Sequence, residues 1–573
     1  MKKSLVFASI IALPGFIFAQ SAIDAYRLSQ PDLKGTARFM GMAGAFTALG
    51  GDLSTLSQNP GGIGVYRNSD VGFTLDLDCQ SSTSRVPGQN NKFTIDQTKF
   101  LLNNIGFVWT MRLPSSTCPN INFGFTYNKS TSFNRQYSGS IGLDNSLSNL
   151  IAANATSKGI KADYLLPSNG YDPYWDSDYN WLPILAYQSY LINNVSDNSY
   201  YGQWDLGNYK DGRWENVTSG TGFFDVYESG AVDSYNIALG GNIADIVFWG
   251  MDFDVTHMNY NLYTVWQENL DKAQMPNADW VLHHQQSDWA LENLYSCKGT
   301  GFNYKLGFIV KPIQELRLGF SFATPTWYNL TENYSAAVSY QNGTKPEVDN
   351  ETEFYAPNAY DDFSLKTPWK INVGLAGVLF NRLIVSADYE WNNYGKMKYS
   401  EPTYYNDPWT DNPWAPYYSA DIQTRSGHIL SPEYDPYGES NSKIREYYKS
   451  TNTIRLGAEF RVTNRFSVRA GYSYVTSPAS SYLKKSEDRV VTAGTLPNYS
   501  VDNSTNYITC GLGYNYKGLY IDAAYVYKHM DSEFHAYSAL PGTKENPQSM
   551  IPSPKSSLSL NNSQIVLSAG YKF

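Results

Sequence analysis

Apolar and polar residues alternate with period two in a series of segments of about 9–11 residues, the length a tilted strand needs to cross a bilayer. The first covers residues 70–78, with Val71, Phe73, Leu75 and Leu77 on one face and Gly72, Thr74, Asp76 and Asp78 on the other. Ile105, Phe107, Trp109, Met111 and Leu113 then lead through a short turn at 114–119 to Ile121, Phe123, Phe125 and Tyr127. After a very long polar stretch, Tyr235, Ile237 and Leu239 precede Trp249, Met251, Phe253 and Val255. Further pairs occupy 302–310 and 316–322, 369–379 and 383–391, 454–462 and 466–474, and 508–516 and 519–527. Their tight turns lie at Lys311-Pro312, Asn381-Arg382, Thr463-Asn464 and Lys517-Gly518. A last strand carries Ile565, Leu567, Ala569, Tyr571 and Phe573, so that a lysine at Leu567 would meet lipid and one at Ser568 the lumen.

The pattern predicts an all-β fold, an antiparallel transmembrane β-barrel of about fourteen strands in which short and long connections alternate. Short turns belong on the periplasmic side of such a barrel and long loops outside, which puts both termini in the periplasm. A secreted β-sandwich has no need of that alternation. The chain ends in Phe573 on the apolar face of its strand, as an aromatic signal for the barrel-assembly machinery would.

The first residues point to the same compartment. Lys2 and Lys3 precede an apolar run from Leu5 to Phe18, and Ala19 followed by Gln20 offers a cleavage point, so residues 1–19 are expected to be a secretory signal peptide. The run is too short for a membrane helix, which needs roughly 20 apolar residues. No cysteine follows it, which argues against a lipoprotein.

Composition sharpens this picture. Aromatics make up 15% of the 573 residues and charged residues only 17%, yet mean hydropathy is −0.42. Strands with one lipid-facing and one polar face reconcile the two. The net charge of −10 and the lack of a clustered basic stripe argue against nucleic-acid binding. Cys79, Cys118, Cys297 and Cys510 lie far apart, without zinc spacing, and do not form a disulfide framework by pattern.

Eight strands leave an interior that side chains fill, and 16 to 18 leave an aqueous channel, so fourteen should leave a hole. Residues 20–67 precede the first strand and carry Phe39, Met40, Met42, Phe46, Leu49 and Leu56. Exposed in the periplasm they would be sticky; folded into the lumen they would plug it. The expected organisation is therefore a signal peptide (1–19), a hatch (20–67) and a barrel with long extracellular loops (68–573).

Residues 35–67, GTARFMGMAGAFTALGGDLSTLSQNPGGIGVYR, resemble the N-terminal hatch of the FadL family of long-chain fatty acid and hydrocarbon transporters, including its Bacteroidetes-type branch. Asn59-Pro60 match the family's Asn-Pro-Ala motif, with Gly61 in place of the alanine. TPTWYNLT at 324–331 and LKTPWKINVGLAG at 365–377 are also similar to the family. The resemblance implies a fourteen-stranded, hatch-plugged barrel that passes hydrophobic ligands and releases them sideways. Family members kink the third strand to open the wall. Here that strand reads NINFGFTYN, which makes Gly124 the expected exit, or else a lumen-facing glycine that makes room for the hatch.

Capture of a poorly soluble chain beyond the lipopolysaccharide calls for exposed apolar surface. Trp181, Leu182, Ile184, Leu185, Tyr187, Tyr190 and Leu191 offer it in the longest loop at roughly helical spacing, the alternative being loop packing. Phe39, Met40, Met42 and Phe46 are candidate ligand contacts in the hatch, Met and Phe being adaptable partners for flexible chains, and plug packing is their other reading. Asn59 and Pro60 are expected to fix a turn. His283 and His284 beside Asp288 keep a haemin receptor as an alternative, solvated loop residues being the plainer reading, and a surface adhesin is the structural one. There is no G-x-S-x-G and no recognisable triad, so no enzyme is expected. No cofactor or metal is expected either. The length cannot supply the roughly 22 strands and larger plug of a TonB-type receptor, and a general porin would not carry so apolar a plug. The expected protein is a monomer in the cell outer membrane, cleaved near Ala19, whose partners are a hydrophobic small molecule, outer-membrane lipid and lipopolysaccharide, and the assembly machinery.

Overall fold

The strands flanking each tight connection predicted above pair antiparallel, with the turn expected at Lys311-Pro312 falling instead at Gln314-Glu315. The computed structural model describes residues 20–573 except 87–91, 178, 211–212, 216, 278, 348–350, 403–436, 486, 488–489, 491, 493 and 543–549. The predicted signal peptide lies outside the described residues. The fourteen barrel strands are β1 (Asp70–Arg85), β2 (Lys92–Arg112), β3 (Asn120–Leu143), β4 (Ser219–Ile243), β5 (Val247–Pro276), β6 (Leu282–Ile313), β7 (Leu316–Ala323 continued by Trp327–Tyr340), β8 (Ala359–Lys366 continued by Lys370–Leu379), β9 (Leu383–Asn393), β10 (Ser450–Arg461), β11 (Phe466–Val475), β12 (Tyr499–Tyr516), β13 (Leu519–His535) and β14 (Lys555–Lys572). Pairing of β14 with β1, from Asp70↔Lys572 to Arg85↔Ser557, closes the wall.

Most strands run far beyond the lengths expected from alternation, up to 32 residues in β6. Of the stretch taken as a loop after Tyr127, the part up to Leu143 is instead the rest of β3 and the part from Ser219 is already β4, which leaves 144–218 as the loop. The reason is a reversal of hydrophobic phase. In the lower part of β5, Met251 and Val255 are exposed outward while Asp252, Asp254 and Thr256 are buried inward. From Met258 onward the inward positions become apolar, Met258, Tyr260, Leu262, Trp266 and Leu270, and the outward ones become His257, Asn259, Asn261 and Gln267. Strand β6 does the same: Phe302, Leu306 and Phe308 face out below, and Trp289, Leu291, Tyr295 and Cys297 face in above. Within the bilayer the oil is outside the barrel; above it, the only place to bury apolar surface is the interior.

The inward apolar faces enclose a hydrophobic core over the lumen, joined by the loop helices Leu147–Ser157 and Trp181–Gln188. The N-terminal helix α1 (Ala22–Ser29) ends up in this core, with Ala22, Ile23, Ala25 and Leu28 buried. From there the chain descends through the lumen as α2 (Ala37–Gly41), α3 (Thr55–Gln58) and a 3-10 turn (Pro60–Val65), then joins β1 at the periplasmic end.

Alternation also misleads about the lumen face. Ser568 does point inward, but it is 3% exposed, accepting from Ala37 N at 2.7 Å and bonded to Thr74 Oγ1 at 2.7 Å. A lysine there would meet the hatch and not water, contrary to the expectation for an open lumen. Leu567, 52% exposed, faces lipid. Leu567→Lys should cost about 2–4 kcal/mol near the bilayer midplane. Ser568→Lys should also lower refolding yield in vesicles, but removing residues 21–65 should restore it, and should do nothing for Leu567→Lys. Equal responses of the two variants to hatch removal would refute this assignment of faces.

Candidate ligand passage through the barrel

The hatch meets the wall backbone to backbone, which requires wall positions without side chains. A Cβ on Gly457 would lie 2.8 Å from Met42 O, and one on Gly471 2.5 Å from Met42 C. Wall side chains then satisfy the hatch backbone. Asp388 accepts from Thr47 N at 2.8 Å, while Thr509 donates to Gly41 O, Arg317 to Leu49 O and Asn122 to Ile63 O. Buried peptide groups of an irregular segment demand such partners.

Asn59 and Pro60 form the turn that their types suggest. Asn59 Oδ1 accepts from Gly61 N at 3.0 Å, and its Nδ2 donates to Thr47 O and, at 3.3 Å, to the wall carbonyl of Phe308. Gly61 departs from the family's alanine because a Cβ there would lie 2.8 Å from Gly307 C and Phe308 N.

One ion cluster fastens the hatch. Lys34 Nζ donates to Asp76 at 2.7 Å, Asp78 at 2.9 Å and Gln564 at 3.0 Å, and all three acid and base side chains are at most 1% exposed. Burial works against the ammonium, and the fields of Asp78 and Asp76 overcome it, so its pKa stands above the ordinary lysine value. The stability it contributes is present below that ordinary value and is lost only as pH rises through the higher folded one, so it persists across neutral pH.

Above the hatch is a cavity of about 290 Å³. Most of its lining residues are polar types, although their stems leave about as much apolar as polar surface, and six cations stand on its walls, five of them with a carboxylate at ion-pair distance: Lys34 as above, Lys129 with Asp233 (2.7 Å), Lys305 with Asp254 (2.8 Å), Arg455 with Glu390 (2.9 Å) and Lys528 with Asp32 (3.2 Å). Lys370 is the sixth: among the described residues its ammonium has no carboxylate within ion-pair distance and no side-chain hydrogen bond, and Glu390, bonded to Arg455, acts on it from farther away. Two breaks in the wall border this cavity, at Thr324-Pro325-Thr326 in β7 and Thr367-Pro368-Trp369 in β8. Proline cannot donate to a ladder, and Thr367 Oγ1 accepts from Thr326 N in its place. These breaks are the two familial segments singled out in the sequence.

A seam lies elsewhere in the wall. Strands β2 and β3 pair only from Arg112↔Asn120 to Asn104↔Asn128. Beyond that, β2 stays paired with β1 up to Lys92↔Arg85, while β3 follows β4 up to Leu143↔Gly220. Asn104 Nδ2 bonds Asn128 Oδ1 at 2.6 Å at the foot of the seam, and Asn128 lines the cavity.

Of the hatch residues chosen as ligand contacts, Phe39 lines the cavity, its ring tilted against that of Phe46 with centroids 5.5 Å apart. Met40, Met42 and Phe46 are fully buried in a cluster with wall residues such as Ala376, Tyr507 and Val566. Gly124 lies inside the paired part of β3, opposite Val108, and a Cβ there would meet Leu56 Cδ2 at 2.7 Å and Ile63 Cδ1 at 2.9 Å. It therefore makes room for the hatch and does not border the seam. Trp181, Ile184 and Leu185 are buried in the core above the lumen, Trp181 against Tyr174 and Tyr334, with Leu182 and Tyr187 half-buried. This is the loop-packing arrangement, because the extended strands give the helix an apolar wall to cover. His284 bonds Asp205, His283 bonds Gln285, and Asp288 takes Gln267 and Asn342, so the three do not converge. Phe573 is 70% exposed, its backbone paired with Ser69. Reasoning from sequence overlooked Lys34 and Lys370; the second follows the proline in a familial segment, its one available signal.

A family model described as Outer membrane protein transport protein (OMPP1/FadL/TodX) matches residues 242–550, more than half of the chain. The match leaves out the hatch. Among solved structures, the chain is similar to a Pseudomonas aeruginosa FadL homologue (12% identity, 95% of this chain and 100% of that one, TM-score 0.48). It is also similar to the toluene transporters TodX of P. putida (12%, 95% and 99%, 0.46) and TbuX of Ralstonia pickettii (14%, 95% and 99%, 0.42). No curated protein matches it.

Two substitutions examine the hatch. Lys34→Met leaves Asp76 and Asp78 buried without a cation and should destabilise the folded barrel by about 3–5 kcal/mol, measurable as a lowered denaturant midpoint. Gly124→Trp should displace Leu56 and Ile63 and so raise single-channel conductance and leakage of small hydrophilic dyes. Tight barrels with unchanged conductance would show that Gly124 does not seat the hatch.

Proposed function

The chain belongs to the outer-membrane transport protein family of FadL and TodX, and from that premise we propose that it carries long-chain fatty acids through the outer membrane and releases them sideways. At the family level it is an outer-membrane transporter of hydrophobic molecules. The observation that carries the finer reading is Lys370, the one cation of the six on this cavity without a carboxylate at ion-pair distance among the described residues, where the other five have one. A single carboxylate headgroup would complete the set, and a charge-assisted bond in a low-dielectric site is among the stronger polar contacts available. Phe39 borders the same space and would meet the start of the acyl chain. The way out is the β2–β3 seam, where no ladder has to be broken for a chain to pass, only side-chain bonds such as Gln97 to Gln136 and Ser84 to the Ser138 carbonyl. Met40 lies at its foot, within 3.5 Å of Asn103 Nδ2. The core above the lumen, Trp181, Leu182, Ile184, Leu185 and Tyr187 included, acts as the entry gate and receives ligand when it loosens. Haem has less support, since the histidines are engaged elsewhere. We assign Phe573, exposed at the end of β14, to recognition by the assembly machinery, and the long loops to contact with lipopolysaccharide; the unit is a monomer.

Binding of radiolabelled oleate and of toluene to the purified barrel tests the reading. Lys370→Met should weaken oleate binding about tenfold, the worth of one hydrogen bond to a charged group, and leave toluene unchanged. Equal effects on both ligands, or oleate binding indifferent to the substitution, would remove the carboxylate reading and leave transport of neutral hydrocarbons.

A further inference from the structure

A second cavity, of about 600 Å³, opens below the hatch at the periplasmic end, walled by the turns β8–β9, β10–β11 and β12–β13. Its acids are all engaged. Glu459 accepts from Arg38 Nε at 2.9 Å and Arg469 Nε at 2.7 Å, and Asp522 accepts from Arg469 Nη1 at 2.6 Å. Asp52 accepts from Thr36 Oγ1 and Ser54 N, and Asp70 sits 3.7 Å from Lys572 Nζ.

Three arginines on the rim of the same cavity are left over. Arg382, Arg461 and Arg465 are exposed, line the opening, and make no ion pair with any described residue. The backbone fixes their spacing: Arg461 N donates to Arg382 O at 2.9 Å, and Asn515 N to Arg465 O at 2.8 Å. Arg465 rests on the Tyr516 ring, its guanidinium carbon 4.7 Å from the centroid. Three unmatched cations at one mouth are unexpected in a chain of net charge −10, since like charges repel unless an anion sits among them. Beside them Phe380 is 91% exposed with φ of 53°, an apolar side chain held out at the periplasmic edge of the barrel.

We propose that this mouth is a binding site for a phosphate-type oxyanion, held by Arg382, Arg461 and Arg465. Guanidinium groups present paired donors that match phosphate oxygens, and their weak hydration makes exchange of water for phosphate cheap. The phosphate can come from the headgroup of an anionic phospholipid in the periplasmic leaflet or from free phosphate. Phe380 favours the lipid, because it would meet acyl chain beside the headgroup. The site is separate from the cavity above the hatch and shares none of its lining.

The test uses the full barrel in micelles, with phosphatidylglycerol, phosphatidylcholine and inorganic phosphate as probes. Native mass spectrometry should find phosphatidylglycerol retained in preference to phosphatidylcholine. The variant Arg382→Gln/Arg461→Gln/Arg465→Gln should reduce that preference at least about tenfold, while Lys517→Gln, on the same rim outside the cavity, leaves it intact. Heat-modifiable mobility confirms that each barrel is folded; should the triple variant fail that check, Arg461→Gln alone should give a smaller loss in the same direction. Phosphorus NMR line broadening of inorganic phosphate, abolished by the triple variant without any lipid preference, would support the oxyanion site and assign it to free phosphate. Undiminished phosphatidylglycerol retention in the folded variant, or binding of neither probe to the parent, would overturn the proposal.

Discussion

In hydrocarbon an unpaired backbone amide costs several kcal/mol, so a sheet that crosses a membrane has to close on itself. Closure through β14 and β1 is the condition on which the rest of this molecule rests. Fourteen strands enclose more space than their own side chains fill, and the hatch occupies it. A hatch of irregular backbone brings its own unmet peptide groups, which explains the Asp, Asn, Thr and Arg residues on the inner wall. The polar lumen face of the strands is thus not a water channel but a set of hydrogen-bond partners for the plug.

The same condition says where the ladder can be interrupted. The β2–β3 pairing lapses only beyond Asn104–Asn128, and the proline breaks of β7 and β8 come only after their lower, lipid-facing segments. Asn128, Thr324, Thr326, Thr367 and Pro368 all line the upper cavity. Unsatisfied backbone therefore gathers around a polar space, where water or threonine hydroxyls can serve it, and not against lipid. An opening in the wall is cheapest at that level, which is a physical reason for a lateral route to begin there.

Alternation exposed the lipid-facing half of every strand, because the bilayer imposes one rule on all of them. It did not reveal the upper halves, because the rule reverses there: Tyr260 and Trp266 follow the inward phase that Asp252 and Asp254 held below. The reversal at His257–Met258 is written in the sequence, and a search for a change of phase would have found it. The glycine recurring in most strands, as in KLGFIV, RLGFSF and RAGYSY, was also visible, and at Gly250, Gly307, Gly319, Gly374, Gly457 and Gly471 it is explained by hatch atoms pressed against it. Gly124 belongs to this set, so of its two readings, exit or room for the hatch, its surroundings support the second. The Lys34 cluster was not legible, since its partners stand 42, 44 and 530 residues away. Lys370 stands out only once the other five cations are seen to be paired.

A cavity lined largely by threonine, asparagine, serine and matched ions is a poor trap for an apolar molecule, and that suits a passage. An acyl chain gains roughly 25 cal/mol for each Å² of apolar surface it hides, so a fully apolar tunnel of this length would hold it too tightly to release. Conduction needs a site favourable enough to enter and weak enough to leave. Here the apolar surface is concentrated in the core above the lumen and in the lipid outside the wall, with a polar interval between them. On the proposed reading, a chain crossing that interval would never be far from one of the two apolar phases, and a single cation would suffice to orient its head while the tail finds the seam.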